Sequence, residues 1–190
     1  LFKRMPDFLL TPAHREALDR PRRIIDQMDA NTPSDIYGID MAEWLRLRFY
    51  HADMEGSQVD GFWWDISSCE EAYALYDSPS RPLLDDPGLQ RWRDQGIDYV
   101  GTLLEETHRR GLECFWSHRV GPVDPAQPWA DIPLADWGRR NPIKQEHPDW
   151  VQRCWWWQGL YDLSAPGLRA HKVAVLHELL DRYAFDGIQL

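Results

Sequence analysis

Positive charge is scarce in this chain. Its 190 residues hold 21 Lys and Arg against 31 Asp and Glu, a formal net charge of −10 with a pI near 5.1. Nucleic acid and anionic membrane surfaces are recognised by clustered positive charge, so the balance argues against nucleic acid as a partner. Long apolar runs are lacking too. None reaches the ~18 residues of a membrane helix, and no membrane segment is expected. Cysteine is sparse: Cys69, Cys114 and Cys154 are widely spaced, make no CxxC pair and read as reduced, mostly buried thiols. His108, His118, His147, His171 and His177 are scattered without an HxH or HExxH pair, so no metal site is expected. No nucleophile elbow or Cys–His spacing supports Ser or Cys catalysis. No cofactor is expected.

Aromatic residues are abundant. There are 11 Trp, against a background of 43% hydrophobic and 27% charged residues that is ordinary for a globular protein. Neutral ligands such as sugars remain open as partners. The length suits one modest domain or part of a larger one.

Along the chain, residues 1–21 form a polar, Pro-punctuated lead-in and 22–190 a single α/β domain. The run "RRIIDQMD" (22–29) predicts a strand ending on Asp29. Residues 38–52 predict a helix with Met41, Trp44, Leu45, Arg48 and Phe49 on one face, Arg48 laying its stem along apolar surface. "SQVDGFWWDI" (57–66) predicts a second strand reaching Asp65. Residues 67–95 read as a long loop with one short helix. Ile97, Val100, Leu103, Leu104 and Thr107 make the clearest helical stripe, over 96–111, and Gly111 suits its stop. "LECFWSHRV" (112–120) is too apolar for a strand with one wet face and reads as a parallel strand covered on both sides. Residues 121–150 are a Pro-rich excursion, and 155–164 an extended strand or ribbon. A last helix follows, marked at its start by Ser164 and Pro166, with Leu168, Val175, Leu176, Leu179, Leu180 and Tyr183 as its stripe. "DGIQL" begins a fourth strand.

Alternating strands and helices predict a parallel sheet with helices packed on it. Two architectures fit: a small open doubly wound sheet, or the N-terminal part of a TIM-type (β/α)8 barrel, about four β/α units, cut at the fourth strand. No glycine-rich phosphate loop follows the first strand, and long loops follow the second and third. Both features favour the partial barrel, whose whole length is typically about 250 residues.

The ordered set "RRIIDQMDAN", "GSQVDGFWWDI", "WRDQGIDYVGTLLEETHRRGLECFWSHRVG", "EHPDW" and "LLDRYAFDGIQL" resembles bacterial glycoside hydrolase-like barrels of the glycosyl hydrolase-like family 10 type, over residues 22–190. The resemblance implies a glycoside hydrolase acting on an oligo- or polysaccharide. It also implies a catalytic Asp just after Leu190, where relatives continue the fourth strand, and a further acid on a later strand. By this reading the chain is a fragment lacking part of the catalytic apparatus, and its own catalytic residues are unknown. The alternative is a non-catalytic carbohydrate-binding barrel. A weaker third reading is a complete small α/β domain with a protein partner.

Side chains at the C-terminal ends of barrel strands form the active face. The candidate substrate-binding residues there are Asp29, Asp65, His118 and Arg119, with Trp64 and Trp116 as stacking platforms. The carboxylates could accept sugar hydroxyls or cap loops. The His–Arg pair could donate to hydroxyls or form a structural ion pair. Each Trp could stack on a pyranose face or pack in the core. At least one Trp of "CWWWQG" (154–159) is expected to face a cleft or partner, since three in succession cannot all point one way. Asp186 precedes its strand and reads as structural.

Overall fold

The computed structural model describes residues 11–22, 24–30, 38–65, 73–120, 142–153 and 158–190. The order is α1 (Pro12–Asp19), β1 (Ile24–Asp29), α2 (Met41–Phe49), β2 (Val59–Asp65), α3 (Pro87–Asp94), α4 (Tyr99–Arg109), β3 (Glu113–Ser117), α5 (Pro142–Glu146), a 3-10 turn (Pro148–Trp150), β4 (Val151–Arg153), β5 (Gln158–Tyr161), α6 (Pro166–Arg182) and β6 (Gly187–Gln189).

Three of the helices start on the same device. The carboxylates of Asp40, Asp86 and Asp98 accept the backbone N–H of Glu43, Leu89 and Gly101 at 2.8, 2.7 and 3.3 Å, satisfying donors that the first turn leaves open. Pro87 occupies the first turn of α3, where its missing N–H costs nothing. Gly111, at φ +72°, takes the left-handed conformation that ends α4 and turns the chain into β3.

Strands β1, β2, β3 and β6 form one parallel sheet in that order, and β4 pairs antiparallel with β5 apart from it. Each step between parallel neighbours passes through helix, which makes the fold mixed α/β. Partners in a parallel ladder share a face. One face therefore carries three rows: Ile25, Gly61 and Glu113; then Gln27, Trp63, Phe115 and Gly187; then, at the C-terminal ends, Asp29, Asp65, Ser117 and Gln189. The opposite face carries Phe62 with Cys114, and Met28, Trp64, Trp116 and Ile188.

That second face holds the core. Phe62, Trp64, Cys114 and Trp116 cluster with Trp44 and Phe49 of α2, Leu89 and Trp92 of α3, Val100 and Leu103 of α4, and Val175 and Leu179 of α6. Each large apolar side chain buried here contributes roughly 1.5–3 kcal/mol. The Trp64 indole donates to Thr107 Oγ1 at 3.0 Å, and that hydroxyl donates to the Leu103 carbonyl at 2.7 Å, so α4 is pinned to β2 by a satisfied polar link. Burial pushes the Cys114 thiol up to about 12, which leaves it inert at neutral pH.

Among the described residues, the first face is closed at its N-terminal end. Arg20 and Arg22 converge on the buried Glu113 carboxylate, Arg20 Nη1 at 2.9 Å and Arg22 Nη2 at 3.0 Å, and the Arg22 guanidinium lies 5.6 Å from the Phe115 ring centre. At the base of β6, Asp186 accepts the Cys114 N–H and pairs with His108 Nε2, both at 2.8 Å, joining β6 to β3 and α4.

The structure differs from the sequence reading at two places. The lead-in contains α1. Leu180, assigned to the buried stripe of the last helix, is 45% exposed, and the buried Lys172 takes a place on the inner side. Within the extended segment expected at 155–164, the described residues hold the strand β5, paired antiparallel with β4. The "WWW" segment (155–157) and most of the excursion, residues 121–141, lie outside the described residues.

Candidate functional site

Asp29 and Asp65 end neighbouring strands and stand side by side in register. Arg119, two residues past the end of β3, crosses back over both. Its Nη2 donates to Asp29 Oδ1 at 2.7 Å, and its Nε pairs with Asp65 Oδ2. One guanidinium thus bridges two carboxylates, using the planar fork that distinguishes Arg from Lys. Burial differs within the trio: the Asp65 side chain is 4% exposed, while those of Asp29 and Arg119 are 55% and 57% exposed. Asp65 is the fixed member, and the other two face solvent.

The same row continues with Ser117 and Gln189. The Ser117 hydroxyl donates to Gln189 Oε1, and Gln27 Nε2 donates to the Ser117 oxygen at 3.3 Å. A band of hydrogen-bonding groups therefore runs across all four strands at their C-terminal ends. Below it sits an apolar floor: Trp63 and Phe115, half-buried, with ring centres 5.7 Å apart. The Trp63 indole nitrogen is buried with no acceptor among the described residues.

Asp29, Asp65 and Arg119 come together. Trp64 and Trp116 do not join them, and the stacking role expected for them is corrected. Trp64 is 0% and Trp116 2% exposed, and both point to the helix side, one residue out of phase with Asp65 and Ser117. His118 is also buried, at 3%; its Nδ1 accepts the Trp116 indole N–H at 3.1 Å, and its own N–H donates to the Gln189 carbonyl at 2.8 Å. It fixes the end of β3 rather than lining the open face.

Gln27, Ser117 and Gln189 were not singled out from sequence, and of the two Trp at 63–64 the sequence reading carried forward Trp64 where the structure puts Trp63 on this face. The signal was the two-residue period counted back from Asp29 and Asp65, which places Gln27 and Trp63 on their face. Arg48 is a further cation near this end. Its guanidinium rests 3.9 Å from the Trp44 ring centre. Burial there lowers its pKa below the ordinary arginine range, opposed by the negative charge of Asp29.

Chemically, the band offers acceptors on two carboxylates, donors on Arg119 and amide groups of both kinds, above an aromatic floor. That set suits hydroxyl groups, which donate and accept at once. Among the described residues, no group of three or more His, Cys, Asp or Glu is placed to hold a metal ion, and no helix is long and apolar enough to cross a membrane.

A four-stranded parallel sheet with helices over one face and polar groups at its strand ends defines a mixed α/β protein with a candidate site at the strand ends. Residues 39–190 match the family model described as glycosyl hydrolase-like 10, and the chain belongs to that family. Asp65 and Arg119 lie within the matched segment, and Asp29 precedes it. A search among curated proteins returned no match.

Proposed function

We propose that the chain supplies the first four β/α units of a TIM-type barrel glycoside hydrolase and binds an oligo- or polysaccharide at the C-terminal strand ends. Asp29 and Asp65 accept sugar hydroxyls, Arg119 donates to them, and the Trp63 floor meets the ring. The catalytic carboxyl is supplied by the continuation of β6 beyond Leu190. The observation that carries this reading is the Arg119 bridge between Asp29 and Asp65, at the end of a parallel sheet where barrels bind their ligands. Family membership supports the reaction class.

A second reading, a non-catalytic carbohydrate-binding barrel, is favoured by the same bridge: it recognises hydroxyls without needing a proton donor. The test is calorimetric titration and product analysis with oligosaccharides, on wild type and on Asp65→Asn and Arg119→Met. Binding weakened at least tenfold in both variants, about 1.4 kcal/mol, is the expected result. Unchanged affinity in both removes the trio from the site. Binding without any released sugar, in a protein that includes the continuation of β6, selects the second reading.

A further inference from the structure

Ser117 and Gln189 share a row at the ends of β3 and β6, and Gln27 stands one row below on β1. Their hydrogen bonds run in one direction, and a single contact fixes which. The Gln189 side chain meets the Leu190 carbonyl at 3.3 Å. A carbonyl oxygen only accepts, so the amide nitrogen Nε2 faces it and the amide oxygen faces Ser117. That oxygen, Oε1, takes the Ser117 hydroxyl proton, and Ser117, its one proton given, accepts from Gln27 Nε2 at 3.3 Å. The reverse direction would set the Gln189 oxygen against the Leu190 carbonyl, two acceptors with no proton between them.

Side chains on three strands thus hold one amide in one orientation. Ser117 is 2% exposed and cannot reach a ligand, whereas Gln189 is half-buried at the strand end. Its amide nitrogen carries a second proton, for which the described residues supply no acceptor. The hydrogen bond taken by Oε1 polarises the amide, which strengthens this N–H as a donor.

The other end of the row brings acceptors, the carboxylates of Asp29 and Asp65. Neighbouring strands lie ~4.8 Å apart, so Gln189 stands roughly 10 Å from Asp65, far enough for the two to read different groups of one ligand. We infer that Gln189 Nε2 is a ligand-contacting donor that takes an acceptor oxygen of the saccharide, and that Ser117, backed by Gln27, is the positioning residue that aims it. The inference rests on the strand-end reading above and adds a direction to it: hydroxyls that donate lie toward β1 and β2, and an oxygen that accepts lies toward β6.

Calorimetric titration with cellotetraose and tetra-N-acetylchitotetraose, on the protein that includes the continuation of β6, tests it. Gln189→Met keeps the length of the side chain and removes the donor without adding charge, and it is expected to weaken binding by roughly fivefold or more. Ser117→Ala lets the amide turn and should weaken binding measurably, although Ser117 touches no ligand. Added to Gln189→Met, it should cost nothing further, because it acts only through Gln189. Loss of stability alone would not produce that coupling. Unchanged affinity in either single variant overturns the proposal, and so do losses that add in full in the double variant. Arg119→Met separates this proposal from the reading it rests on. If Arg119→Met weakens binding and Gln189→Met does not, the proposal falls and the strand-end site stands. A wild-type protein that binds neither tetrasaccharide overturns both.

Discussion

Arg119 and His118 are sequence neighbours with opposite fates, and the difference is one step of alternation. Arg119 turns to the open face and bridges Asp29 and Asp65. His118 turns to the helix side and receives the Trp116 indole N–H. Truncating each therefore has a different signature. Arg119→Met is expected to lose saccharide affinity and, because it takes this cation from the buried Asp65 carboxylate, to lower the melting temperature as well. His118→Ala leaves the buried Trp116 donor without this acceptor and should cost about 1–3 kcal/mol in denaturant unfolding, with affinity per folded molecule kept. A His118→Ala protein of wild-type stability would contradict this placement. Hydrophobicity could not separate the two Trp at 63–64, or Trp116 from its neighbours. A parallel strand is apolar on both faces, so hydrophobicity does not say which side is which. Only the register with Asp65 and Ser117 does.

At the scale of elements, β6 meets β3 through a close approach. A Cβ at Gly187 would lie 2.8 Å from Cδ1 and 3.0 Å from Cζ of the Phe115 ring, too near for either to stay in place. Gly187→Ala is expected to destabilise by about 1–3 kcal/mol through displacement of Phe115, read as a lower denaturant midpoint. An unchanged midpoint would mean that the ring moves freely. The α2–α4 junction supplies a pH dependence. Arg110 lies 3.9 Å from the Phe49 ring centre and bonds Asp53 and Glu106, each at 2.7 Å. Hydrogen bonds from Arg110 to Asp53, and from Arg109 and Arg110 to Glu106, outweigh burial and hold both carboxyls below their ordinary values. Depressed folded pKa values give stability that is present above the unfolded values, about 3.9 and 4.3, and is lost as pH falls through the folded ones. Melting temperature should therefore drop on acidification below about pH 4.5, and Arg110→Met should flatten part of that slope. An identical slope in the variant would exclude the junction as its source. Most elements were legible because their stripes are long: Val100, Leu103, Leu104 and Thr107 mark α4 with no rival reading. Helix α1 was not, since "PAHREALD" is short and carries one large apolar residue, Leu18, which stays exposed in the structure.

At the scale of the whole molecule, the described residues place β1 and β6 at the edges of the sheet and close one face at its base, by Arg20, Arg22 and Glu113. If further strands complete a barrel, a polypeptide of residues 1–190 alone should associate through these surfaces. Sharp two-state unfolding of a monomer in equilibrium sedimentation and denaturant titration would contradict the barrel reading. The sheet order and the gathering of Asp29, Asp65 and Arg119 were within reach of the sequence, through strand alternation and strand ends. The bridge itself was not, because Arg119 crosses from β3 over two strands, a tertiary contact with no local pattern. The central claim is that these strand ends bind carbohydrate. The most direct measurement is a crystal structure of the protein with a bound oligosaccharide. The account predicts sugar hydroxyls within hydrogen-bond distance of Asp65 and Arg119, above Trp63. Sugar density seated elsewhere, with the Arg119 bridge unvisited, would contradict it.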